Sequence, residues 1–289
     1  MDPNIPITYH STFGEQLLRP YGITIDDANN IYVAEASGGK VTKFDENGKQ
    51  LLSFGRGEGN IFKKVGRLRQ PAGIAVDSRG NCYVADFKLN RIYKYDHQGR
   101  FLKIFGKHGM EDGQFNYCWR IKADPEDFLW VVDKDNHRLQ KFDTEGNFVL
   151  KLGKQGKDAV GGGKFDQPSD LAFDAQGCLY VTDKNNCRVQ KFDPQGNFLL
   201  KFGRAGSGKG QFLEPRGIAI DSQQRVYITD ADRDQIVVFD TNGRYLFSFM
   251  GPIRIGGALY RPLGIAINHH GKIFVTDHEK NRIMVFSIS

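Results

Sequence analysis

One signal repeats along the 289 residues of this chain and restricts its fold more than any other feature. A Pro-x-Gly-Ile-Ala-like stretch begins at Pro20, Pro71, Pro168, Pro215 and Pro262, and Cys118 holds the equivalent place in the third of six copies. The copies start 51, 47, 50, 47 and 47 residues apart, a period that suits one four-stranded β-sheet per repeat. In the fifth copy, residues 217–221 alternate as a first strand and Ser222-Gln223-Gln224-Arg225 turns the chain. Residues 226–229 form a second strand ending at Asp230, and 231–234 a loop. Residues 235–239 form the third strand, Asp240-Thr241-Asn242-Gly243 a tight turn that accepts positive φ, and 245–249 the fourth strand. No copy leaves room for a helix, so the expected class is all-β: a six-bladed propeller of four-stranded antiparallel blades.

The two ends fix how such a ring would close. The sixth copy stops after its third strand, at Met284-Val285-Phe286, whereas residues 9–13 followed by Gly14 match residues 200–202 followed by Gly203. The N-terminal strand, within residues 7–14, is therefore expected to complete the last blade and remove an exposed edge. The reading is one propeller over residues 1–289, with blades beginning near 20, 71, 118, 168, 215 and 262.

Apolar residues make up 39% and charged residues 26% of the chain, which fits a globular domain and not a disordered one. No apolar run approaches the ~18 residues that cross a bilayer. Met1-Asp2-Pro3-Asn4 lacks the basic segment and apolar core of a signal peptide. Cys82, Cys118, Cys178 and Cys187 fall at positions unsuited to pairing and read as reduced thiols. Together these features give the expectation of a cytoplasmic monomer without contact with a membrane.

The repeat resembles the NHL family. The residues that carry the likeness are Gln70-Pro71-Ala72-Gly73-Ile74-Ala75-Val76-Asp77, Tyr83-Val84-Ala85-Asp86, Asn90-Arg91-Ile92, Tyr95-Asp96, Gly99 and Phe105-Gly106, and the pattern covers nearly the whole chain. It is similar to the NHL domain of TRIM-NHL proteins, which implies RNA binding on a basic face, and to microbial NHL-repeat proteins.

The loops sort charge. Connections between blades hold 14 basic residues against seven acidic ones, and the loops between strands two and three hold ten of each. These share one face, here called the top. The short turns of the opposite face hold six basic and 15 acidic residues, most of them Asp at fixed repeat positions such as Asp45, Asp96, Asp143, Asp193 and Asp240. Turn chemistry accounts for the acidic side without function. A basic top is the electrostatic footprint of a polyanion binder.

Candidate RNA-binding residues are Arg56, Lys63, Lys64, Arg67, Arg69, Phe87, Tyr117, Trp119, Arg120 and Arg216. The cations would meet phosphates and the rings would stack on bases, the two needs of single-stranded RNA. The competing reading makes Trp119 a packed plug and joins Arg120 to Asp170, since these two replace the repeat's glycine in blades three and four. A protein-interaction scaffold using the same face is the alternative function.

A lyase or hydrolase is the third reading. Six-bladed relatives include zinc-dependent amidoglycolate lyases and calcium-dependent gluconolactonase-like hydrolases. Here the seven histidines scatter over different blades and faces, and Thr24, Ala75, Lys122, Ala172, Ala219 and Ala266 offer no carboxylate cage. No catalytic residue, metal site or cofactor is expected. The recurring pairs Asp86/Arg91, Asp133/Arg138, Asp183/Arg188 and Asp277/Arg282 read as structural ties, with weaker counterparts at Glu35/Lys40 and Asp230/Gln235.

Overall fold

Each repeat folds into one antiparallel sheet because its apolar stretches are short and are separated by residues that turn the chain. The computed structural model describes residues 7–56, 66–156, 161–251 and 258–288. The fold is an all-β, six-bladed propeller with four antiparallel strands per blade.

Two compact units divide the chain. The unit Leu17–Leu152 carries three sheets, whose first strands are Pro20–Ile25, Pro71–Val76 and Cys118–Ala123. The other unit, Met1–Gln16 with Gly153–Ser289, carries three more four-stranded sheets, opening at Pro168–Phe173, Pro215–Ile220 and Pro262–Ile267, and a short parallel pair, Lys154–Gln155 with Lys164–Phe165. In its last sheet Ile7–Phe13 pairs antiparallel with Arg282–Ile288, from Ile7 opposite Ile288 to Phe13 opposite Ile283. The N-terminal strand thus completes the sixth blade, as the truncated last repeat implies.

Within each unit the core lies between neighbouring sheets. Phe115, Phe142, Ile121 and Val131 fill the space between blades two and three, and Phe212, Phe239, Val189 and Ile228 that between blades four and five. First strands approach so closely that a Cβ on Gly217 would lie 2.3 Å from the Leu263 carbonyl oxygen, and one on Gly22 2.4 Å from that of Ala72. Glycine at these positions is a condition of packing.

The acidic turns are self-satisfying. Asp26 Oδ1 accepts the amides of Ala28 and Asn30, and Asp45, Asp77, Asp96, Asp124, Asp143, Asp174, Asp193, Asp221 and Asp240 repeat the pattern. In five blades the first-turn carboxylate also accepts a hydrogen bond from a second-strand aromatic: Tyr32, Tyr83, Trp130, Tyr180 or Tyr227, at 2.9–3.1 Å. Blade six has Asn268 and Phe274 instead, and Asn268 Nδ2 is buried without a partner.

Two local features depart from the sequence reading. Three-residue 3-10 turns follow the second strand at Lys134–Asn136, Lys184–Asn186, Ala231–Arg233 and His278–Lys280, too short to leave a helical period in the sequence. The ties Asp133–Arg138, Asp183–Arg188 and Asp277–Arg282 form at 2.7–2.8 Å. Asp86, however, is occupied by four backbone amides, those of Arg69, Gln70, Lys88 and Leu89, and Arg91 is exposed. Blade one, expected to be weak, holds Lys40 on Glu35 at 3.2 Å. Among the described residues no helix is long and apolar enough to cross a membrane.

Candidate nucleic-acid interface

A buried acid at the end of each second strand sets the entrance to its blade. Glu35, Asp86, Asp133, Asp183, Asp230 and Asp277 accept the backbone amides of Leu18, Arg69, Asn116, Asp166, Leu213 and Tyr260, each two residues before its first strand. Burial pushes the carboxyls of Asp86, Asp133, Asp183, Asp230 and Asp277 above the ordinary range, against the pull of these hydrogen bonds. Pinning the amide fixes where the side chain at that position points. In blade two that side chain is Arg69, and it is exposed.

Arg69 is one of three arginines around a single cleft. Arg56, Arg67 and Arg69 line a space of about 920 Å³ whose floor is Leu68, Leu89 and Tyr93 and whose far wall is Ser37, Gly38 and Gly39. Leu68 and Tyr93 are buried and all three arginines are exposed. The backbone beneath them is held by the Leu68 amide on the Gly55 carbonyl at 2.7 Å and by the Arg69 amide on Asp86 at 2.5 Å. Among the described residues no carboxylate pairs with any of the three guanidinium groups. Lys63 and Lys64, expected beside them, lie outside the described residues.

The aromatic candidates come together, but on one another. Phe87 lies 4.7 Å from Tyr117 and 5.4 Å from Trp119, Tyr117 and Trp119 stack at 5.7 Å, and Tyr21 meets Trp119 edge-on at 5.0 Å. Lys134 Nζ stands 4.8 Å over Tyr117 and 5.1 Å over Trp119. Phe87 and Trp119 are buried, while Tyr21 and Tyr117 are half-buried. Trp119 therefore packs as the plug reading has it, and its faces are already covered.

Arg120 is only 3% exposed, and this decides its role. It donates to the Ala72 carbonyl and, at 3.1 Å, to that of Tyr21, spanning blade two to reach blade one. Lys122, two residues on, reaches the Ile23 carbonyl at 3.2 Å. Asp170 accepts the amide of Leu171 at 2.9 Å. Arg216 is committed as well, bound to Glu214 at 2.5 Å.

Sequence reasoning missed what surrounds Arg216. Glu214 is buried and also meets Arg261 at 2.7 Å and Lys184 at 3.5 Å, and Arg261 reaches Asp232 at 3.0 Å. These residues come from three repeats and share no spacing, so no motif announces them. Among the described residues no three His, Cys, Asp or Glu side chains gather closely enough to hold a metal ion.

Comparison with known proteins agrees with this architecture. A family model described as a six-bladed β-propeller matches residues 165–253, and one described as the NHL repeat matches residues 115–142. The Drosophila melanogaster protein brain tumor is 31% identical over 90 residues, which are 30% of this chain and 9% of that protein. The Rattus norvegicus peptidylglycine alpha-amidating monooxygenase is 29% identical over 149 residues, 48% of this chain and 15% of the relative. The chain thus spans a small part of the length of either. A gluconolactonase structure from Xanthomonas campestris superposes over 99% of this chain and 91% of its own, with a TM-score of 0.69 at 14% identity, a likeness of fold. Repeat, strand order and matches agree: the chain is a six-bladed β-propeller whose residues 115–142 match the NHL repeat.

Proposed function

We propose that this chain is a non-catalytic binding propeller that takes single-stranded RNA through the phosphates of its backbone. The observation that carries the reading is the cleft of Arg56, Arg67 and Arg69, three exposed guanidinium groups without a carboxylate among the described residues, above an apolar floor. Guanidinium presents paired donors that match phosphate oxygens, and weak hydration lets it leave water readily. Tyr21 and Tyr117 present the half-buried rings of the neighbouring cluster, backed by Phe87, Trp119 and Arg120. The likeness to an amidating monooxygenase makes an enzyme the reading to test against. A protein scaffold on the same face remains the competing occupant.

The test is the affinity for a random single-stranded RNA across a salt series. Each phosphate contact on a single strand contributes about 0.7 to the slope of log K against log salt. Arg67→Gln with Arg69→Gln should weaken binding about tenfold at low salt and flatten the slope by about 1.4. Absence of binding at low salt, or an unchanged slope in the double variant, overturns the proposal.

A further inference from the structure

The top of blades four to six carries a second cationic group, arranged quite differently from the open cleft. Lys184 comes from the loop after the second strand of blade four, Arg216 from the first strand of blade five, and Arg261 from the entrance of blade six. All three converge on Glu214, at 3.5, 2.5 and 2.7 Å. Arg261 forks, with Nη2 on Glu214 and Nη1 on Asp232 at 3.0 Å, while its amide is held by Asp234 at 2.8 Å. Asp230 lies beneath, accepting the Glu214 amide at 2.7 Å. Arg216 keeps a buried Nε donor without a partner.

The two carboxylates are unlike. Glu214 is buried and enclosed by cations, so it is part of the wall. Asp232 is about half exposed at the rim and touches only Arg261 among these cations. We infer that Asp232 is an internal ligand occupying an oxyanion seat on Arg261, with Lys184 and Arg216 behind it, and that a doubly charged tetrahedral oxyanion takes the seat when Asp232 is uncharged. Lys184, Arg216 and Arg261 meet Glu214 directly, while Asp230 and Asp234 spend their carboxylates on backbone amides, so an Arg261 fork released by Asp232 faces a partly desolvated place, where an anion is held more strongly than in water.

The electrostatics agree in direction. Partial burial, a hydrogen bond that the protonated Asp232 carboxyl donates to Glu214, and the nearby Glu214 charge push the Asp232 carboxyl up, against the pull of Arg261 and Arg216. Burial opposes ionisation of Glu214 too, but the guanidinium of Arg216 outweighs it and holds Glu214 below its usual value. As pH falls, Asp232 is therefore the first of the pair to lose its charge, and Glu214 continues to order the three cations.

Sulfate is the probe, because it stays a dianion across the range in which Asp232 titrates. Calorimetric titration at low ionic strength is made in the Arg67→Gln, Arg69→Gln background, which silences the open cleft. Sulfate should bind about tenfold more tightly at pH 4.5 than at pH 7.5. Asp232→Asn should bind at pH 7.5 at least as tightly as the parent does at pH 4.5, with the pH dependence gone. Arg261→Gln should lose binding at both. Thermal melting of each variant verifies that the propeller stays folded. If Asp232→Asn binds no sulfate, or keeps the parent's pH dependence, or if Arg261→Gln binds as the parent does, the seat is not there. Because the arginine cleft is removed throughout, failure here leaves the RNA proposal standing, and failure of RNA binding leaves this one.

Discussion

Asp26 shows how one carboxylate serves a whole turn. Burial alone would raise its carboxyl, but hydrogen bonds from the Asn30 side chain, the Asn30 amide and the Tyr32 hydroxyl, with the charge of Lys43, hold it below its usual value. A folded value below the unfolded one means that stability is present above the ordinary carboxylate range and is lost as pH falls through the folded value. Asp26→Asn should therefore cost stability at pH 7 and much less near ~pH 2.5, read from urea melts at the two pH values. Asn268 and Phe274 make the complementary case. Buried Nδ2 lacks an acceptor where five other blades supply a ring hydroxyl or indole beside the same turn. A phenol oxygen can accept as well as donate, so Phe274→Tyr should raise stability by about 1 kcal/mol. An unchanged or lower midpoint in denaturant would count against that account. The carboxylates of the turns were legible from repeat position alone. Arg120 was not, because a charged residue where other repeats have glycine reads equally as ligand or strut until its carbonyl partners are known.

The outermost strand of every blade carries a bulge, and the extra residue is Leu51, Leu102, Val149, Leu199, Leu246 or, on the N-terminal strand, His10. The five apolar ones are more than a third exposed. A bulge twists an edge and breaks its hydrogen-bonding register, which protects a strand that would otherwise template another chain. In blade six that edge strand is the N-terminal one. Deleting residues 1–13 should bare Arg282–Ile288, a longer strand built for pairing, and give a protein that aggregates on mild heating where the full chain stays dispersed, as light scattering would register. The strand itself was readable because the last repeat lacked a fourth strand. The entrance loops were readable only as basic and variable, since their shape is set by contacts with acids some 17 residues away.

Across the molecule, repetition explains what could be read and what could not. Six copies average out local ambiguity, so strand order and blade starts at Pro20, Pro71, Cys118, Pro168, Pro215 and Pro262 follow from spacing. The candidate sites are where copies differ, at Arg56, Arg67 and Arg69 in one unit and at Lys184, Glu214, Arg216, Asp232 and Arg261 in the other, and there a single sequence offers no averaging. Charge counts placed basic residues on the right loops. They could not tell an open guanidinium from one already neutralised, because pairing depends on side chains brought together from separate repeats. Sewing the sixth blade with residues 7–13 and 282–288 also has a consequence in time. At the usual ~5–20 residues per second of synthesis, strand Ile7–Phe13 waits roughly 15–55 s for its partner. Through that interval it is a strand with its backbone hydrogen bonds unpaired, and the cell must keep it from other company until Arg282–Ile288 arrives.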